Sequence, residues 1–159
     1  MQIRTGLGYD VHRLAPGETL ILGGVSVPYE LGTVAHSDGD VLLHAISDAL
    51  LGAAALKDIG YHFPDTDDRF KDANSLDLLK QSYQLVKAKG FTLSNIDATI
   101  AMQRPKLKPF IGEMCANIAN TLGIEIDSVS VKATTTEKLG FVGKEEGIEA
   151  FATVLIISK

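Results

Sequence analysis

The pattern of apolar and polar positions predicts a chain that mixes strands with helices. Apolar residues alternate with polar ones, or run together over strand-like lengths, at residues 3–12, 96–103, 128–134 and 147–157. They recur three or four positions apart at residues 40–56, 75–89 and 109–122, which predicts helices. Residues 20–27 predict a short N-terminal β-hairpin whose Gly23–Gly24 turn can adopt positive φ. Helices between strands indicate an α/β or α+β fold.

One domain is expected over residues 1–159, because no repeat or linker divides the chain. The predicted sheet is four-stranded and mixed, with helices on one face. Residues 150–157 are almost entirely apolar, so the other face must also be shielded from water, and few elements remain to cover it. We therefore expect the chain to associate with copies of itself through that face.

Residues 58–74 form a long polar segment that predicts a functional or mobile loop, such as a lid. The run Asp65-Thr66-Asp67-Asp68 resembles a calcium-binding loop. Phe70 stands where such a loop needs glycine at its sixth position, which excludes that interpretation.

Composition narrows the classes of partner. A formal net charge of -5 gives no basis for nucleic-acid binding, and the local cluster Arg104, Lys106 and Lys108 suits a small phosphorylated ligand instead. The single Cys115 cannot form an internal disulfide and indicates a reducing compartment. The longest apolar stretch, residues 45–56, is too short to cross a bilayer. We expect a cytoplasmic protein without a membrane partner, or one in a plastid-type organelle if a transit peptide was removed.

Metal-ligand residue types cluster near the start of the chain. Asp10 and His12 are two positions apart in a predicted strand, so both side chains lie on one face and can hold one ion. A third ligand would come from elsewhere, and His36 and His44 follow closely. Two imidazoles and one carboxylate are typical of a zinc site with an open position for chemistry. Histidines packed in the core explain the same spacing, and His62, between Tyr61 and Phe63, needs only packing or surface exposure.

Residues 133–138 present three hydroxyls, a carboxylate and an ammonium directly after a predicted strand. Such groups suit phosphate oxygens and a hard cation. The alternative is a helix capping box, because Thr134 and Glu137 have the required spacing, although Gly140 and Gly143 leave little room for a helix.

Several catalytic motifs are missing from the sequence. It has no nucleotide P-loop, no Gly-x-Ser-x-Gly elbow and no cysteine typical of a nucleophile. The pair Gly6 and Gly8 is too weak a signal for a dinucleotide site. The residues therefore indicate metal and phosphate chemistry without a protein nucleophile.

Long ordered motifs resemble the 2-C-methyl-D-erythritol 2,4-cyclodiphosphate synthase family over essentially the whole chain; they are residues 8–12, 35–44, 58–60 with 63–67, and 133–140. The resemblance implies a phosphorus–oxygen lyase of non-mevalonate isoprenoid biosynthesis. Its substrate would be 4-diphosphocytidyl-2-C-methyl-D-erythritol 2-phosphate, and its products the cyclodiphosphate and CMP. The resemblance further implies a homotrimer with active sites between subunits, in which the bare sheet face is buried.

The resemblance also implies the ligands of two metal ions. Zinc would be held by Asp10, His12 and His44, with a substrate phosphate oxygen in the fourth position. Magnesium or manganese would be held by Glu137, bridging the diphosphate. Helical spacing adds that Asp48, one turn beyond His44, accepts a hydrogen bond from that imidazole.

The remaining site residues are carried over from the same motifs. His36 and Thr135 would be catalytic. His36 and Ser37 would contact phosphate or the methylerythritol unit. Asp58 and Gly60 would contact the hydroxyls of the erythritol. Part of a mobile wall would come from residues 63–67, which include Phe63, Asp65 and Asp67. The cytidine and its phosphate would be surrounded by Met102, Lys106, Leu107 and Lys108, and the diphosphate held by Thr134, Thr135, Thr136 and Glu137.

The family also lines a central trimer cavity, sometimes occupied by an isoprenoid diphosphate, and Phe141, Lys144 and Glu146 fall at its positions. Several relatives have arginine where this chain has Lys144, and lysine cannot make the same planar bidentate phosphate contact.

Two rival functions remain open at this level. A zinc-dependent phosphoester hydrolase would place an activated water at the open metal position and give a linear product. An oligomeric metal-dependent binding protein would bind metal and ligand without turnover.

Overall fold

The computed structural model describes residues 1–158 and has the mixed composition that the patterns predict. The strands are β1 (Gln2–Pro16), β2 (Ile21–Leu22), β3 (Val25–Ser26), β4 (Leu31–Val34), β5 (Phe91–Ala101), β6 (Val129–Thr134) and β7 (Gly147–Ser158). The helices are α1 (Val41–Ala53), α2 (Ile59–His62), α3 (Ser75–Ala88), α4 (Ile111–Leu122) and α5 (Gly140–Gly143). Short 3-10 turns lie at Asp68–Phe70, Lys108–Phe110 and Ile126–Ser128.

The main sheet has five strands in the order β4-β1-β7-β5-β6, and only β5 and β6 run parallel. The prediction of four strands is therefore wrong by one. β4 was missed because it is four residues long, contains Gly32 and shows no clear alternation. It pairs with the end of β1, where Leu14 lies opposite Thr33. The predicted hairpin is confirmed as β2 and β3, with φ of 57° at Gly23 and 73° at Gly24.

The segment predicted as a long loop, residues 58–74, is not free of regular structure. It contains α2 and the turn Asp68–Phe70. Asp58 caps α2 by accepting a hydrogen bond from the Tyr61 amide, and Asp67 caps the turn in the same way through Arg69. Motion of this segment as a lid stays a prediction.

Helix α1 lies against β1 at very short range, and two glycines make this possible. A Cβ added at Gly8 would lie 1.8 Å from the Ala45 carbonyl oxygen, and one at Gly6 would lie 2.0 Å from that of Ala49. The Gly6-x-Gly8 pair thus serves helix packing. Apart from His44, Asp48 and Gly52, the residues of α1 are buried, and α3 packs against both α1 and β5.

The other face of the sheet carries exposed apolar side chains. Ile3, Leu7, Tyr9 and Val11 alternate along β1 and are 42–70% exposed, and Phe151 continues the surface on β7 opposite Tyr9. The expectation that few elements would cover this face is confirmed for the single chain. We call this set of five residues the bare face. Within residues 1–158, no helix combines the length and apolar character needed to span a bilayer.

Candidate active site

Asp10, His12 and His44 bring three ligand atoms into a compact triangle. Asp10 Oδ2 lies 3.1 Å from His12 Nε2 and 3.0 Å from His44 Nδ1, and the two ring nitrogens are 3.2 Å apart. A tetrahedral zinc ion with bonds of about 2.0–2.1 Å needs ligand atoms roughly 3.3 Å apart. The three side chains therefore fit a metal ion. Within residues 1–158, this is the one cluster of three such residues that could hold one.

The triangle depends on how β1 and α1 meet. Asp10 and His12 lie on the same face of β1 as Gly6 and Gly8, the face that contacts α1. Asp40, fully buried, caps α1 by accepting a hydrogen bond from the Leu43 amide at 3.1 Å. The same carboxylate accepts from the Gly23 and Gly24 amides at 3.0 and 2.8 Å, so it joins the β2–β3 hairpin to the helix. The relative positions of the three ligands therefore depend on how β1, α1 and the hairpin pack in the core.

Electrostatics within the triangle favour a charged carboxylate. Burial raises the pKa of Asp10, but hydrogen bonds and charge interactions with His12 and His44 outweigh it and lower the value to about 2. Burial lowers the pKa of His44, and the contact with Asp10 more than compensates, so the net shift is upward. At Asp40, burial outweighs the three backbone hydrogen bonds and raises the pKa to about 6.

The far nitrogen of His44 contacts two serines. His44 Nε2 lies 2.9 Å from Ser75 Oγ and 3.2 Å from Ser37 Oγ. The prediction that Asp48 fixes this imidazole is wrong, because Asp48 accepts from the Ile59 amide at 2.9 Å instead. Helical spacing could not reveal Ser75, which comes from α3, 31 positions later.

A pocket of about 480 Å³, which we call the metal-side pocket, opens beside the triangle. Eight predicted site residues meet there, namely Asp10, His12, His36, Ser37, His44, Gly60, Phe63 and Asp65. Asp58 and Asp67 do not line it; they act as caps, and Asp67 also pairs with Arg69 at 2.6 Å. Pro64, within the stretch 63–67 expected to form a wall, also lines the pocket. Sequence reasoning missed three apolar wall residues that stand out within or just after a polar segment: Ile59, Phe70 and Leu78.

A second pocket, of about 330 Å³, lies beyond the ends of β5 and β6. The predicted residues Met102, Lys106, Leu107, Lys108, Thr134 and Thr135 line it, together with the unpredicted Gln103, Pro105, Ile111 and Ala133. Met102 and Leu107 are almost fully buried, so they form its floor, whereas Lys106 and Lys108 are exposed. None of the residues 1–158 lines both pockets.

Residues 135–138, directly after β6, form an irregular loop rather than a helix start. Glu137 and Lys138 have φ of 54° and 64°, and the next helix begins only at Gly140. The Thr135 hydroxyl donates to Glu137 Oε1 at 3.2 Å, while the Lys138 amide donates to Gln103 Oε1 at 3.1 Å. The capping-box alternative is therefore wrong. Glu137 is exposed beside the second pocket, and Thr136 donates to the Leu139 carbonyl oxygen.

A third cavity contains Phe141 and Glu146 together with Val11, His12 and Arg13. Lys144 is exposed at the end of α5 and does not line it. For His62 the sequence indicates only packing or surface exposure. Its Nε2 lies 2.7 Å from the Leu56 carbonyl oxygen, and it does not line the pocket beside the triangle.

The fold and the site define an α+β protein with a three-ligand metal-type cluster next to a pocket and a second, lysine-bearing pocket. The model of the YgbB family matches residues 3–157, and the chain belongs to this family.

Curated relatives match along nearly their full length. The chain is 60% identical over 155 residues to the 2-C-methyl-D-erythritol 2,4-cyclodiphosphate synthase of Alkaliphilus oremlandii, covering 98% of this chain and 99% of that protein. It is 62% identical over 154 residues to the protein of the same name from Geobacter metallireducens, covering 97% and 98%.

Solved structures agree with the fold. The bifunctional IspDF of Campylobacter jejuni superimposes with a TM-score of 0.94 at 51% identity, covering 98% of this chain and 42% of that longer protein. The IspF of Plasmodium falciparum, described as a CDP complex, superimposes with a TM-score of 0.87 at 37% identity, covering 99% and 97%.

Proposed function

We propose that this chain is a 2-C-methyl-D-erythritol 2,4-cyclodiphosphate synthase of isoprenoid precursor biosynthesis. It converts 4-diphosphocytidyl-2-C-methyl-D-erythritol 2-phosphate to the cyclic diphosphate and releases CMP. The observation that carries the proposal is the ligand triangle of Asp10, His12 and His44 beside a pocket, in a chain that matches synthases of this name along their whole length.

The proposal includes two metal sites. Asp10, His12 and His44 would hold zinc, whose preference for nitrogen and oxygen ligands in a tetrahedron suits the triangle. Glu137 would hold magnesium or manganese, which bind through one or two carboxylates beside substrate phosphates. Bound at these positions, the ions would neutralise charge on the diphosphate and polarise its oxygens.

The reaction needs no basic side chain. A phosphate monoester has a second pKa of about 6, so the attacking 2-phosphate is largely dianionic near neutral pH. Its oxygen forms a bond to the β-phosphorus while the bond from that phosphorus to the oxygen of CMP breaks, and CMP leaves with the electron pair. The difficulty is to hold one anion in line with another, and positioning is what the side chains supply.

In this proposal, each pocket positions a different part of the substrate. We assign His36 and Ser37, beside the triangle, to the methylerythritol unit and its phosphate. Asp58 lies next to the same pocket, which Gly60, Phe63 and Asp65 line. The Thr134 and Thr135 hydroxyls and the ammonium groups of Lys106 and Lys108 suit the nucleotide phosphates in the second pocket. The CDP complex of the Plasmodium falciparum relative supports a cytidine nucleotide there.

We further propose that the active site lies between subunits of a homotrimer. One substrate must reach both pockets, yet within one chain they share no lining residue. The bare face also needs a partner, because its five apolar side chains are at least 40% exposed. Burying this face between copies would bring the second pocket of one subunit to the metal-side pocket of its neighbour.

The proposed trimer would have a central cavity along its threefold axis. Phe141, 40% exposed, shares its cavity with Arg13, and Lys144 is exposed nearby on the same short segment. An aromatic side chain beside cationic groups suits an isoprenoid diphosphate, which combines an apolar tail with an anionic head.

Turnover followed by phosphorus NMR tests the activity. The purified protein with zinc and magnesium should convert the diphosphocytidyl substrate to the cyclic diphosphate and CMP. A linear product would instead support the zinc hydrolase, and metal and ligand binding without any product would support a binding protein.

Substitution of the histidines tests the metal site. His12→Ala or His44→Ala leaves two protein ligands, so zinc should fall below stoichiometry in elemental analysis and cyclisation should drop by orders of magnitude. His62→Ala is the matched control and should change neither. Stoichiometric zinc and normal cyclisation in both site variants would contradict the proposed site.

Light scattering after size exclusion tests the trimer. Leu7→Lys places a charge in the bare face, so it should shift the protein from trimer to monomer and abolish cyclisation. Ile126→Lys changes an apolar residue that is 51% exposed outside this face, and should leave the trimer intact. A fully active monomeric wild-type protein would contradict an intersubunit site.

A further inference from the structure

Asp38 makes an unusually complete set of contacts with one buried serine. Its Oδ2 accepts from the Ser75 amide at 2.8 Å, and its Oδ1 accepts from the Ser75 hydroxyl at 2.5 Å. Oδ1 also accepts from the Asp40 amide at 3.2 Å. Ser75 has no exposed surface and is the first residue of α3. The hydroxyl of Ser75 is therefore held in one orientation.

The orientation of the Ser75 hydroxyl determines whether it donates a hydrogen bond to His44 or accepts one. A serine hydroxyl has a single proton, and here the proton goes to a carboxylate, which can only accept. The oxygen that lies 2.9 Å from His44 Nε2 thus faces it with a lone pair. Nε2 must therefore carry a hydrogen, which leaves Nδ1 as the nitrogen that can offer a lone pair to an ion. Without an ion, Nδ1 lies 3.0 Å from Asp10 Oδ2, so this carboxylate competes with Ser75 for the hydrogen of the neutral ring.

We infer that Asp38 is a positioning residue that acts through Ser75 to hold His44 in the tautomer whose Nδ1 is free to bind metal. The inference rests on the proposed zinc site and extends it to two residues that neither bind the ion nor line its pocket. Partners of this kind typically change metal affinity by about 10–100-fold, since they fix the orientation and tautomer of the ligand.

Ser37 is the competing partner for the same nitrogen, but it is held less firmly. Its oxygen is 3.2 Å from His44 Nε2, accepts weakly from the Gly39 amide at 3.3 Å, and borders the open pocket. It has no carboxylate to fix its proton. Ser37 can therefore follow either tautomer, whereas Ser75 selects one.

Zinc affinity provides the first test, measured by competition with a chromophoric chelator. Ser75→Ala should weaken zinc binding by about 10–100-fold, and Asp38→Asn should have a similar effect. Because Asp38 acts through Ser75, the double variant should bind zinc about as well as the weaker single variant. Ser82→Ala is the matched control: Ser82 is buried on the same helix and donates to the Leu78 carbonyl oxygen, away from the site. It should bind zinc like the wild type.

The tautomer itself provides a second test that needs no metal. In the metal-free protein, above the pKa of the ring, nitrogen-15 NMR should show a larger fraction of His44 protonated at Nε2 in the wild type and in Ser82→Ala than in Ser75→Ala. Ser75→Ala should shift the ring toward the tautomer protonated at Nδ1, because Asp10 Oδ2 remains as the acceptor beside that nitrogen. If Asp38→Asn does not fold, Ser75→Ala alone decides.

The outcomes separate this inference from the metal site. Unchanged zinc affinity and an unchanged tautomer in Ser75→Ala would overturn the role of Asp38 while leaving the zinc site intact. Failure of the wild type to bind zinc would overturn the metal site, and the tautomer measurement would still decide whether Asp38 and Ser75 orient His44.

Discussion

The metal-side pocket and the second pocket are built in different ways. The metal ligands beside the first pocket come from β1 and α1, which pack closely through Gly6 and Gly8. Ser75, at the start of α3, contacts His44. The second is formed mainly by the segments that follow β5 and β6, and most of its polar side chains are exposed. The first therefore has its three metal ligands within one chain and depends on the core, whereas the second is bordered mainly by exposed polar side chains.

The contacts made by Arg104, next to two residues that line the second pocket, lie at the surface. Arg104 makes paired hydrogen bonds to Glu145 at 2.8 and 3.1 Å, and Tyr29 donates to the same carboxylate. The Arg104 side chain is 63% exposed, and ion pairs of this kind contribute little to stability. We therefore expect substitutions near the metal ligands to lower the free energy of unfolding. Substitutions near the second pocket should lower only substrate binding or turnover.

The largest effect on stability is expected from Gly8→Ala. The new Cβ would lie 1.8 Å from the Ala45 carbonyl oxygen, so α1 must move away from β1. The free energy of unfolding should fall by about 3 kcal/mol or more, and zinc content should fall with it. Urea unfolding and elemental analysis measure both.

Gly52→Ala, on helix α1, is the control for Gly8→Ala on β1. No atom lies within 4 Å of a Cβ added there, so the variant should gain about 0.5–1 kcal/mol of stability from better helix propensity and keep its zinc. Equal behaviour of the two variants would contradict the close-packing role of Gly8.

Asp40→Ala should have the next largest effect. It removes the cap of α1 and leaves the amides of Gly23, Gly24 and Leu43 without their acceptor. We expect a loss of about 2–4 kcal/mol in urea unfolding. Asn74→Ala removes the exposed cap of α3, which accepts only from the Leu76 amide, and should cost about 1 kcal/mol. A smaller loss for Asp40→Ala than for Asn74→Ala would show that Asp40 does not join the hairpin to the helix.

The smallest effect on stability is expected from Glu137→Gln. Glu137 is exposed and its side chain contacts only the neighbouring Thr135, so unfolding should change by less than about 0.5 kcal/mol. Magnesium-dependent turnover should nevertheless fall at least about tenfold, because an amide binds a hard cation poorly. Glu125→Gln, on an exposed turn outside both pockets, should leave turnover unchanged. Normal magnesium dependence in Glu137→Gln would remove this residue from the proposed mechanism.

Local patterns in the sequence were enough to predict most of the fold. Alternation over β5 and β7 and the three-to-four spacing in α3 and α4 follow directly from which face is buried. Strand β4 was not predictable in this way, since its pairing depends on the extension of β1 to Pro16. The Gly6-x-Gly8 pair was visible, but its role depends on a helix some forty positions away.

The site was predictable to the extent that its residues are local or carried by a motif. Asp10 and His12 follow from the period of a strand, and the resemblance supplied His44. The partner of His44 was mispredicted as Asp48, because helical spacing reports only neighbours on the same helix. Ser75 belongs to a different helix, so its contact with His44 exists only once α1 and α3 are packed.

Strand β1 has a consequence for how this protein can change over time. Its 15 residues carry Asp10 and His12 on one side and Leu7, Tyr9 and Val11 on the other. Because the two sides alternate, deleting one residue between Leu7 and Asp10 would turn the metal ligands outward or force the apolar side chains against α1. Evolution can therefore replace individual side chains on either side of β1. An insertion or deletion within the strand, however, would disturb the metal ligands and the apolar surface together.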